Sequence, residues 1–204
     1  MSSELKANKI SPATGTAMTL GDSGDTFTVP SGSTLDVNGT IDLTGATQTG
    51  VGGDNTPAFF AERLGDMSIS DATVTKIEFN TEIFDTDSAY DNSTNYRFTV
   101  PSGEGGKYFV YAQAVFYSSH GGNDLKVQQL LIKKNGSNMG VSESNRNDMG
   151  IMETLNITCT LDLAAADYLE VYAYFDNQHG SSYTKIAGDA YPRTHFGAYK
   201  LIGV

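Results

Sequence analysis

The chain has 204 residues and a formal net charge of −11, which suits one domain of ordinary size and a smaller appendage. This acidic balance argues against a nucleic-acid partner, because phosphate binding needs a basic surface. No run of about 18 apolar residues is present, so we expect no membrane insertion. The opening residues MSSELKANKISP lack the apolar core of a secretory signal, and the lone Cys159 can form no internal disulfide. Both features are expected of synthesis in the cytoplasm.

Residues 1–44 contain short pairs of apolar residues that Gly and Ser turns separate. We call these pairs apolar pulses. Between residues 26 and 45 these pulses are Phe27 with Val29, Leu35 with Val37, and Ile41 with Leu43. A two-stranded piece with so little burial is marginal in water, whereas three identical chains could close a common core from such pulses. The alternative is a disordered tail, but the sparse charge and the repeated β-branched residues count against it. We therefore predict a β-rich segment that is ordered in a trimer.

Aromatic residues mark the start of a globular domain near Pro57. Phe27 is the single aromatic residue in 1–56, and every other Phe and Tyr follows Pro57. A core needs large side chains, and aromatic residues bury the most area each. Residues 45–56, GATQTGVGGDNT, have the composition of a Gly-rich flexible linker. The predicted organisation is thus an N-terminal segment over 1–44, a linker over 45–56 and a domain over 57–204.

Two stretches of this domain have the patterns of strands in a sandwich. KYFVYAQAVFY, 107–117, is largely apolar on both faces: one carries Tyr108, Val110, Ala112, Ala114 and Phe116, and the other carries Phe109, Tyr111, Val115 and Tyr117. One face should fill the sandwich, and the other should contact neighbouring subunits, because an exposed apolar face of this size is unusual. ETLNITCTLDL, 153–163, alternates strictly, so we expect Cys159 to be an inert core residue.

Turn signals and further strands complete an all-β pattern. Asn135-Gly136 is the strongest short hairpin signal. Residues 168–175 and 194–204 supply two more strands, and no window has a convincing helical period. Many short strands joined by turns predict a β-sandwich or jelly roll.

An acidic loop is a candidate calcium site. DTDSAYDNSTN, 85–95, holds Asp85, Asp87 and Asp91, and spaced carboxylates can bind calcium. An EF-hand requires Gly at the sixth loop position and Glu at the twelfth, where this chain has Tyr90 and Tyr96. A solvated loop is the simpler interpretation, so we predict no cofactor and leave calcium as a possibility.

Three other groups of residues are candidates for catalysis or metal binding. SSHGGND, 118–124, contains Ser118, His120 and Asp124, but one Gly-rich loop lacks the rigidity and the oxyanion hole of a nucleophilic triad. His179 and His195 do not make a zinc pair without a third ligand. Carboxylates could also flank a glycosidic bond if they faced each other at about 5 to 9.5 Å; the candidates are Glu153, Asp162 and Glu170. We predict that the protein is not an enzyme.

Residues 57–204 resemble the C1q-like domain, a trimeric jelly roll related to the tumour necrosis factor fold. The matching pieces are PAFFAERL, IEFNTEIFD at 77–85, YDNSTNYRFTVPSGEGGKYFVYA at 90–112, KKNG and the closing FGAYKLI. The family's Thr-Gly is Thr94-Asn95 here, and its Gly-Asp is Ala166-Asp167. No Gly-X-Y collagen precedes the domain, so a complement-type role is not implied. The resemblance implies a C1q/TNF-like jelly-roll head that forms a homotrimer.

The N-terminal part, LGDSGDTFTVPSGSTLDVNGTIDLTG, is similar to shaft segments of phage fibre proteins, especially those of marine and cyanobacterial phages. Joined to a C1q-like head, this resemblance implies a virion fibre or receptor-binding protein. Its expected partners are its own homotrimer, other virion proteins through the N-terminus, and a host surface glycan or receptor. Its expected location is the virion, after synthesis in the host cytoplasm. The alternatives are a head-decorating or structural fibre without a specific ligand and a polysaccharide depolymerase.

Strand alternation in a jelly roll predicts where a receptor would bind. The last strand returns to the end where the domain begins, so loops 118–125, 142–151 and 176–193 should meet at the far end. These loops are rich in the polar and aromatic residues that sugar binding uses, whereas the Asn135-Gly136 turn lies at the other end. The alternative is that surface loops are polar in any case. The candidate receptor-binding residues are His120, Asn123, Asp124, Arg146, Asn147, His179, Tyr183 and Tyr191.

Overall fold

A computed structural model describes residues 14–15, 23–24, 26–42, 55–120, 124–145, 150–180, 183–189 and 191–202. The chain divides into two units, Met1–Thr49 and Gly50–Val204. This division falls within the predicted linker, and the predicted bounds of the three segments stay a prediction. None of the described residues lies in a helix that could cross a membrane.

In the first unit, the described residues 26–42 form turns and extended chain without a strand, and all of them are exposed. The exposed apolar side chains are Phe27, Val29, Leu35, Val37 and Ile41. The single chain therefore buries none of the described apolar pulses. Leu43, the last predicted member, lies outside the described residues.

The described residues of the second unit form strands joined by turns. In chain order the strands are β1 (Ala58–Glu62), β2 (Met67–Ser68), β3 (Thr75–Lys76), β4 (Thr81–Asp85), β5 (Tyr90–Asp91), β6 (Arg97–Thr99), β7 (Gly106–Ser118), β8 (Leu125–Lys134), β9 (Ser137–Asn145), β10 (Met152–Leu163), β11 (Tyr168–Asn177), β12 (Thr184–Ile186) and β13 (His195–Lys200). The predicted strands over 107–117, 153–163, 168–175 and the C-terminal segment are confirmed within a few residues.

Two antiparallel sheets make the sandwich. In the first, β13 and β12 pair with successive parts of one edge of β7, and β10 pairs with its other edge. Beyond β13 the order continues to β1 and β4, and β2 pairs with β12. The second has the order β5-β6-β11-β8-β9, and β3 also pairs with β11. The all-β jelly-roll class predicted from the sequence is therefore the observed one.

The core lies between the sheets and follows the predicted alternation of β7. One face of β7 is buried, with relative exposures of 0–3% for Tyr108, Val110, Ala112, Ala114 and Phe116. Phe59 lies at the centre of the core, stacked on Tyr90 and Phe98 with ring centroids 4.8 and 4.9 Å away. In β10, Leu155 and Ile157 are buried, while Cys159 is half-buried against the core.

The strand registers show which strand ends and turns lie at each end of the head. Ala58 pairs with Tyr199, and Leu163 pairs with Gly106, so the chain enters the head at the end where β7 begins. The Asn135-Gly136 turn lies at this end, where Asn135 N donates to Tyr168 O over 3.0 Å. Both turn residues have positive φ, 51° and 80°, as a type I′ hairpin requires. The opposite end, where β7 finishes at Ser118, carries the candidate site.

Candidate binding site at the loop end of the head

Backbone hydrogen bonds bring three loops together beyond Ser118. Ser118 N donates to Ile151 O over 2.8 Å, and Ser119 N donates to Tyr183 O over 3.0 Å. Gln178 N donates to Asp124 O over 3.1 Å. Residues from all three predicted loops, 118–125, 142–151 and 176–193, therefore meet at the end opposite Ala58, as the strand alternation predicts.

The centre of this end is a buried carboxylate. Asp124 has no exposed surface, its Oδ2 accepts a hydrogen bond from Ser118 Oγ, and its Oδ1 contacts His179 Nδ1. Burial raises the pKa of Asp124, but the hydrogen bonds from His179 and Ser118 outweigh it, so the pKa lies below its ordinary value. Asp124 is thus held as a buried anion by a hydroxyl and an imidazole.

Three rings contact one another beside Asp124. The imidazoles of His120 and His179 stack with centroids 3.7 Å apart and an interplanar angle of 15°. Tyr183 meets His120 edge-on at 4.8 Å and 75°. We name His120, Asp124, His179 and Tyr183 the tip cluster. It joins exposed ring surface to a buried charge, an arrangement that can stack on a ligand and donate hydrogen bonds to it.

A local turn fixes His179 in this cluster. Asn177 Oδ1 accepts hydrogen bonds from His179 N at 2.9 Å and Gly180 N at 2.6 Å. Gly180 has φ of 84°, a left-handed conformation that Gly adopts without steric cost. Asn177 N in turn donates to Asp71 Oδ1 over 2.8 Å. The His179 backbone is therefore anchored at the end of β11.

The structure brings four of the eight candidate residues together, and these are the tip cluster. Asn123, Arg146 and Asn147 lie outside the described residues, so their role stays a prediction. Tyr191 does not join the cluster, because the predicted loop 176–193 contains β12, which pairs antiparallel with β7 and leads the chain away from the tip. Gln113 Nε2, midway along β7, donates to Arg193 O over 2.5 Å, which places the Tyr191 loop at the side of the sheet.

Sequence reasoning missed the pairing of Asp124 with His179. These residues are 55 positions apart. In the sequence, His179 is considered only together with His195, as a zinc pair that lacks a third ligand. His195 instead contacts Pro192 O through Nδ1 at 2.7 Å and lies over Phe60 at 5.2 Å. The signal that pointed to the true pairing was the predicted meeting of loops 118–125 and 176–193.

The observed geometry differs from that of a nucleophilic triad and from that of a glycosidase carboxylate pair. Ser118 donates to the Asp124 carboxylate rather than to an imidazole, which is not the Ser–His arrangement of a nucleophilic triad. Glu153 and Asp162 lie near opposite ends of β10, about 30 Å apart at the usual strand rise. Glu170 is 6% exposed and pairs with Lys76 Nζ at 2.6 Å.

The acidic loop 85–95 uses its carboxylates to shape its own turns. Asp91 accepts hydrogen bonds from Thr94 N at 2.9 Å, Ser93 N at 3.0 Å and Asn95 N at 3.0 Å. The Thr94 and Ser93 amides hold the pKa of Asp91 far below its ordinary value. Asp85 Oδ2 accepts from Tyr90 N over 2.8 Å. A shallow pocket of about 320 Å³ opens beside this loop, away from the tip cluster.

The outer face of the first sheet carries a continuous row of aromatic side chains. Phe84 lies 6.3 Å from Phe60, and Phe60 lies 6.3 Å from Tyr111. The row continues to Phe109 at 6.1 Å and to Tyr199 at 5.5 Å. We name Phe60, Phe84, Phe109, Tyr111 and Tyr199 the outer aromatic face. These residues are half-buried or exposed in the single chain, with Phe84 at 48%.

No family model matches the chain, and no curated protein sequence matches it significantly. Solved structures do match. Murine APRIL at pH 5.0 is 12% identical, with 71% of this chain and 98% of that chain covered and a TM-score of 0.51. Eiger TNF from S. frugiperda is 15% identical, with coverages of 71% and 90% and a TM-score of 0.51. The globular domain of zebrafish complement 1qA protein is 13% identical, with coverages of 72% and 98% and a TM-score of 0.49.

The fold is the C1q/TNF-like jelly roll. At these identities the likeness to murine APRIL and Eiger TNF establishes the fold of the head and nothing about its ligand. The fold part of the resemblance stated for residues 57–204 is thereby confirmed.

Proposed function

We propose that this protein is a homotrimeric fibre of a phage virion that binds a host surface glycan or receptor through its jelly-roll head. The observation that carries the proposal is the tip cluster, which gathers aromatic and polar side chains from separate loops at the end opposite Ala58. In a fibre whose N-terminal segment attaches to the particle, that end would face the host.

The outer aromatic face supports the trimer. Phe84, exposed by 48%, ends an aromatic row that crosses β4, β1, β13 and β7. An apolar face of this extent on a soluble protein is typical of a protein interface. Identical subunits related by a threefold axis would cover it, in line with the trimer that the C1q-like resemblance implies.

The N-terminal unit supports the same assembly. Its described apolar side chains are all exposed, with Phe27 at 69% and Leu35 at 61%. Three such segments, held together by a trimeric head at high local concentration, can bury these side chains against one another. The fibre-like composition of 1–44 then corresponds to a shaft and virion-attachment region.

Binding to an array of bacterial surface polysaccharides tests the recognition role. The trimer should bind a subset of the array, and Tyr183→Ala should lose that binding because it removes a ring from the tip cluster. Tyr191→Ala is the matched control, since this tyrosine lies in the same sequence interval but at the side of the sheet. Equal loss in both variants, or no loss in Tyr183→Ala, would place recognition elsewhere.

The two alternatives predict different observations. A head-decorating fibre would be found on the capsid by immunogold labelling of virions, whereas a receptor-binding fibre would be found on the tail. A depolymerase would shorten a polysaccharide during incubation, and a binding protein would leave its length unchanged. The hydrogen bond from Ser118 to Asp124 and the wide spacing of Glu153 and Asp162 favour the non-enzymatic interpretation.

A further inference from the structure

The tip cluster contains a set of three metal-ligating side chains. His120, Asp124 and His179 each offer one ligand atom, and these atoms all lie within 4.8 Å of one another. Among the described residues, no other group of three His, Cys, Asp or Glu side chains meets this criterion. The chain has three histidines, and two of them are in this set.

The spacing fits a single ion after small side-chain rotations. Zinc binds imidazole nitrogen at about 2.0–2.1 Å and carboxylate oxygen at about 2.0–2.2 Å. Tetrahedral ligand atoms at such bond lengths are about 3.4 Å apart. This distance is shorter than the 4.8 Å within which the three ligand atoms of the set lie. His120 and His179 have exposed side chains that can rotate, whereas Asp124 is fixed by burial.

The chemistry of the donors favours a divalent transition metal over calcium or magnesium. Calcium takes six to eight oxygen ligands, and this set has one carboxylate and two imidazoles. Two nitrogens and one carboxylate form a recognised three-residue set for zinc with an open fourth position. Imidazole also favours copper and nickel over magnesium and manganese.

The surroundings of Asp124 supply the outer support that such sites need. Ser118 Oγ donates to Oδ2 of Asp124 and leaves Oδ1 facing His179 Nδ1. Hydrogen bonds to a ligating carboxylate orient it and are typical of metal sites. Among the described residues, no Lys or Arg forms an ion pair with this buried carboxylate, so a cation at Oδ1 would compensate its charge.

We propose that His120, Asp124 and His179 bind one divalent transition-metal ion, with Zn²⁺ as the principal candidate. The ion replaces the contact between Asp124 Oδ1 and His179 Nδ1 and ties the 118–124 loop to the turn after β11. Its fourth position faces solvent and holds water. This site shares its three ligands with the tip cluster, but its test does not depend on the proposed receptor role, because metal binding is measured without a receptor.

Titration of chelator-treated full-length protein with Zn²⁺ tests the site. Isothermal calorimetry should give one ion per chain, and a hundredfold excess over the dissociation constant should raise the melting temperature by about 5 °C or more. The same concentration of Ca²⁺ should leave the melting temperature unchanged. Co²⁺ in place of Zn²⁺ should give the absorption bands of a four-coordinate ion.

Three variants locate the ion. His179→Ala and His120→Ala should each weaken Zn²⁺ binding at least tenfold, and His195→Ala should bind as the wild type does. His195 is the matched control, because it lies on β13 outside the set. Wild-type protein that binds no Zn²⁺ would overturn the proposal. Equal Zn²⁺ affinity of His179→Ala and His195→Ala would also overturn it, because the ion would then be held elsewhere.

Discussion

The ring of Tyr111 lies directly over the backbone of Gly197 on the neighbouring strand. Tyr111 and Gly197 are paired across β7 and β13, and a Cβ added at Gly197 would overlap Cζ and Oη of the tyrosine. It would also lie 2.9 Å from the carbonyl oxygen of Phe59. Gly197 therefore allows Tyr111 to lie flat within the outer aromatic face.

The Gly197→Ala variant should disrupt this face. The added methyl group must displace Tyr111 or the backbone of β1, and overpacking of this kind typically costs about 1–3 kcal/mol. We expect a lower midpoint in chemical denaturation and weaker subunit association on dilution. Gly105→Ala is the control, since its Cβ would meet only ordinary contacts, the nearest being Leu163 O at 3.4 Å. Equal stability of the two variants would mean that Tyr111 has room to move.

Replacement of Gln128 by Met should stabilise the head. Gln128 is fully buried in β8, and neither its Nε2 nor its Oε1 has a hydrogen-bond partner among the described residues. A buried amide without partners costs about 1–3 kcal/mol, and an apolar side chain of similar volume removes that cost. The melting temperature of Gln128→Met should therefore rise by several degrees.

The neighbouring Gln129 provides the control for this change. It points to the other side of β8, where its Nε2 donates to Glu143 Oε2 over 2.5 Å. Gln129→Met should be neutral or slightly destabilising. A Gln128→Met protein that melts below the wild type would show that the amide forms a stabilising hydrogen bond outside the described contacts of the single chain.

Asp167 should make the stability of the head depend on pH in the acid range. Lys134 Nζ and Asn135 Nδ2 each donate to its carboxylate over 2.7 Å. The bonds from Lys134, Asn135 and the Ala164 amide lower its pKa from 3.8 to about 2. Because the folded-state pKa is the lower one, this stabilisation is present above about pH 4 and is lost as the pH falls towards 2.

The Asp167→Asn variant should lose about 1 kcal/mol near pH 7, as expected for a partly exposed ion pair near the surface. Its free energy of unfolding should also vary less between pH 4 and pH 2 than that of the wild type. Asp162→Asn, which changes an exposed carboxylate on β10, should keep the wild-type dependence. Parallel curves for Asp167→Asn and the wild type would show that this carboxylate does not contribute.

The thiol of Cys159 should react slowly in the native protein. It packs against the core from β10, and burial raises its pKa. Both effects reduce the exposed thiolate, which is the reactive species. Labelling by a thiol reagent should be at least tenfold slower than in denaturant. A Ser102→Cys, Cys159→Ser double variant, with its thiol on an exposed turn, should react quickly, and equally fast native labelling of the wild type would mean that β10 opens.

Much of the head follows from local patterns in the sequence, because strand alternation and hairpin turns are short-range signals. The faces of β7 and β10 and the Asn135-Gly136 turn are examples. The short strand β12 was missed, because the three residues Thr184–Ile186 give too little alternation to stand out. That omission placed Tyr191 at the tip instead of at the side of the sheet.

Long-range contacts between polar side chains could not be predicted in the same way. The pairing of Asp124 with His179 depends on how two loops meet in space, and no spacing in the sequence specifies it. The orphaned amide of Gln128 is a further case, since the position continues the inward face of β8 with a polar residue. Sequence reasoning predicted that these loops meet at one end of the head, but it did not predict which side chains pair there.

The proposed trimer interface can be tested by placing one charge in the outer aromatic face. Phe84→Glu should prevent assembly, because a buried carboxylate without a partner is costly. Val141→Glu is the matched control: it lies on β9 of the other sheet and is exposed to a similar extent, 49% against 48% for Phe84. We expect Val141→Glu to assemble as the wild type does.

The mass of the full-length protein in solution tests the central claim most directly. Light scattering at micromolar concentration should give about three times the chain mass of 21.8 kDa for the wild type and for Val141→Glu. Phe84→Glu should give the mass of a single chain. A wild-type mass of 21.8 kDa would contradict the account, because the outer aromatic face and the apolar pulses of residues 26–42 would then have no partner chain to cover them.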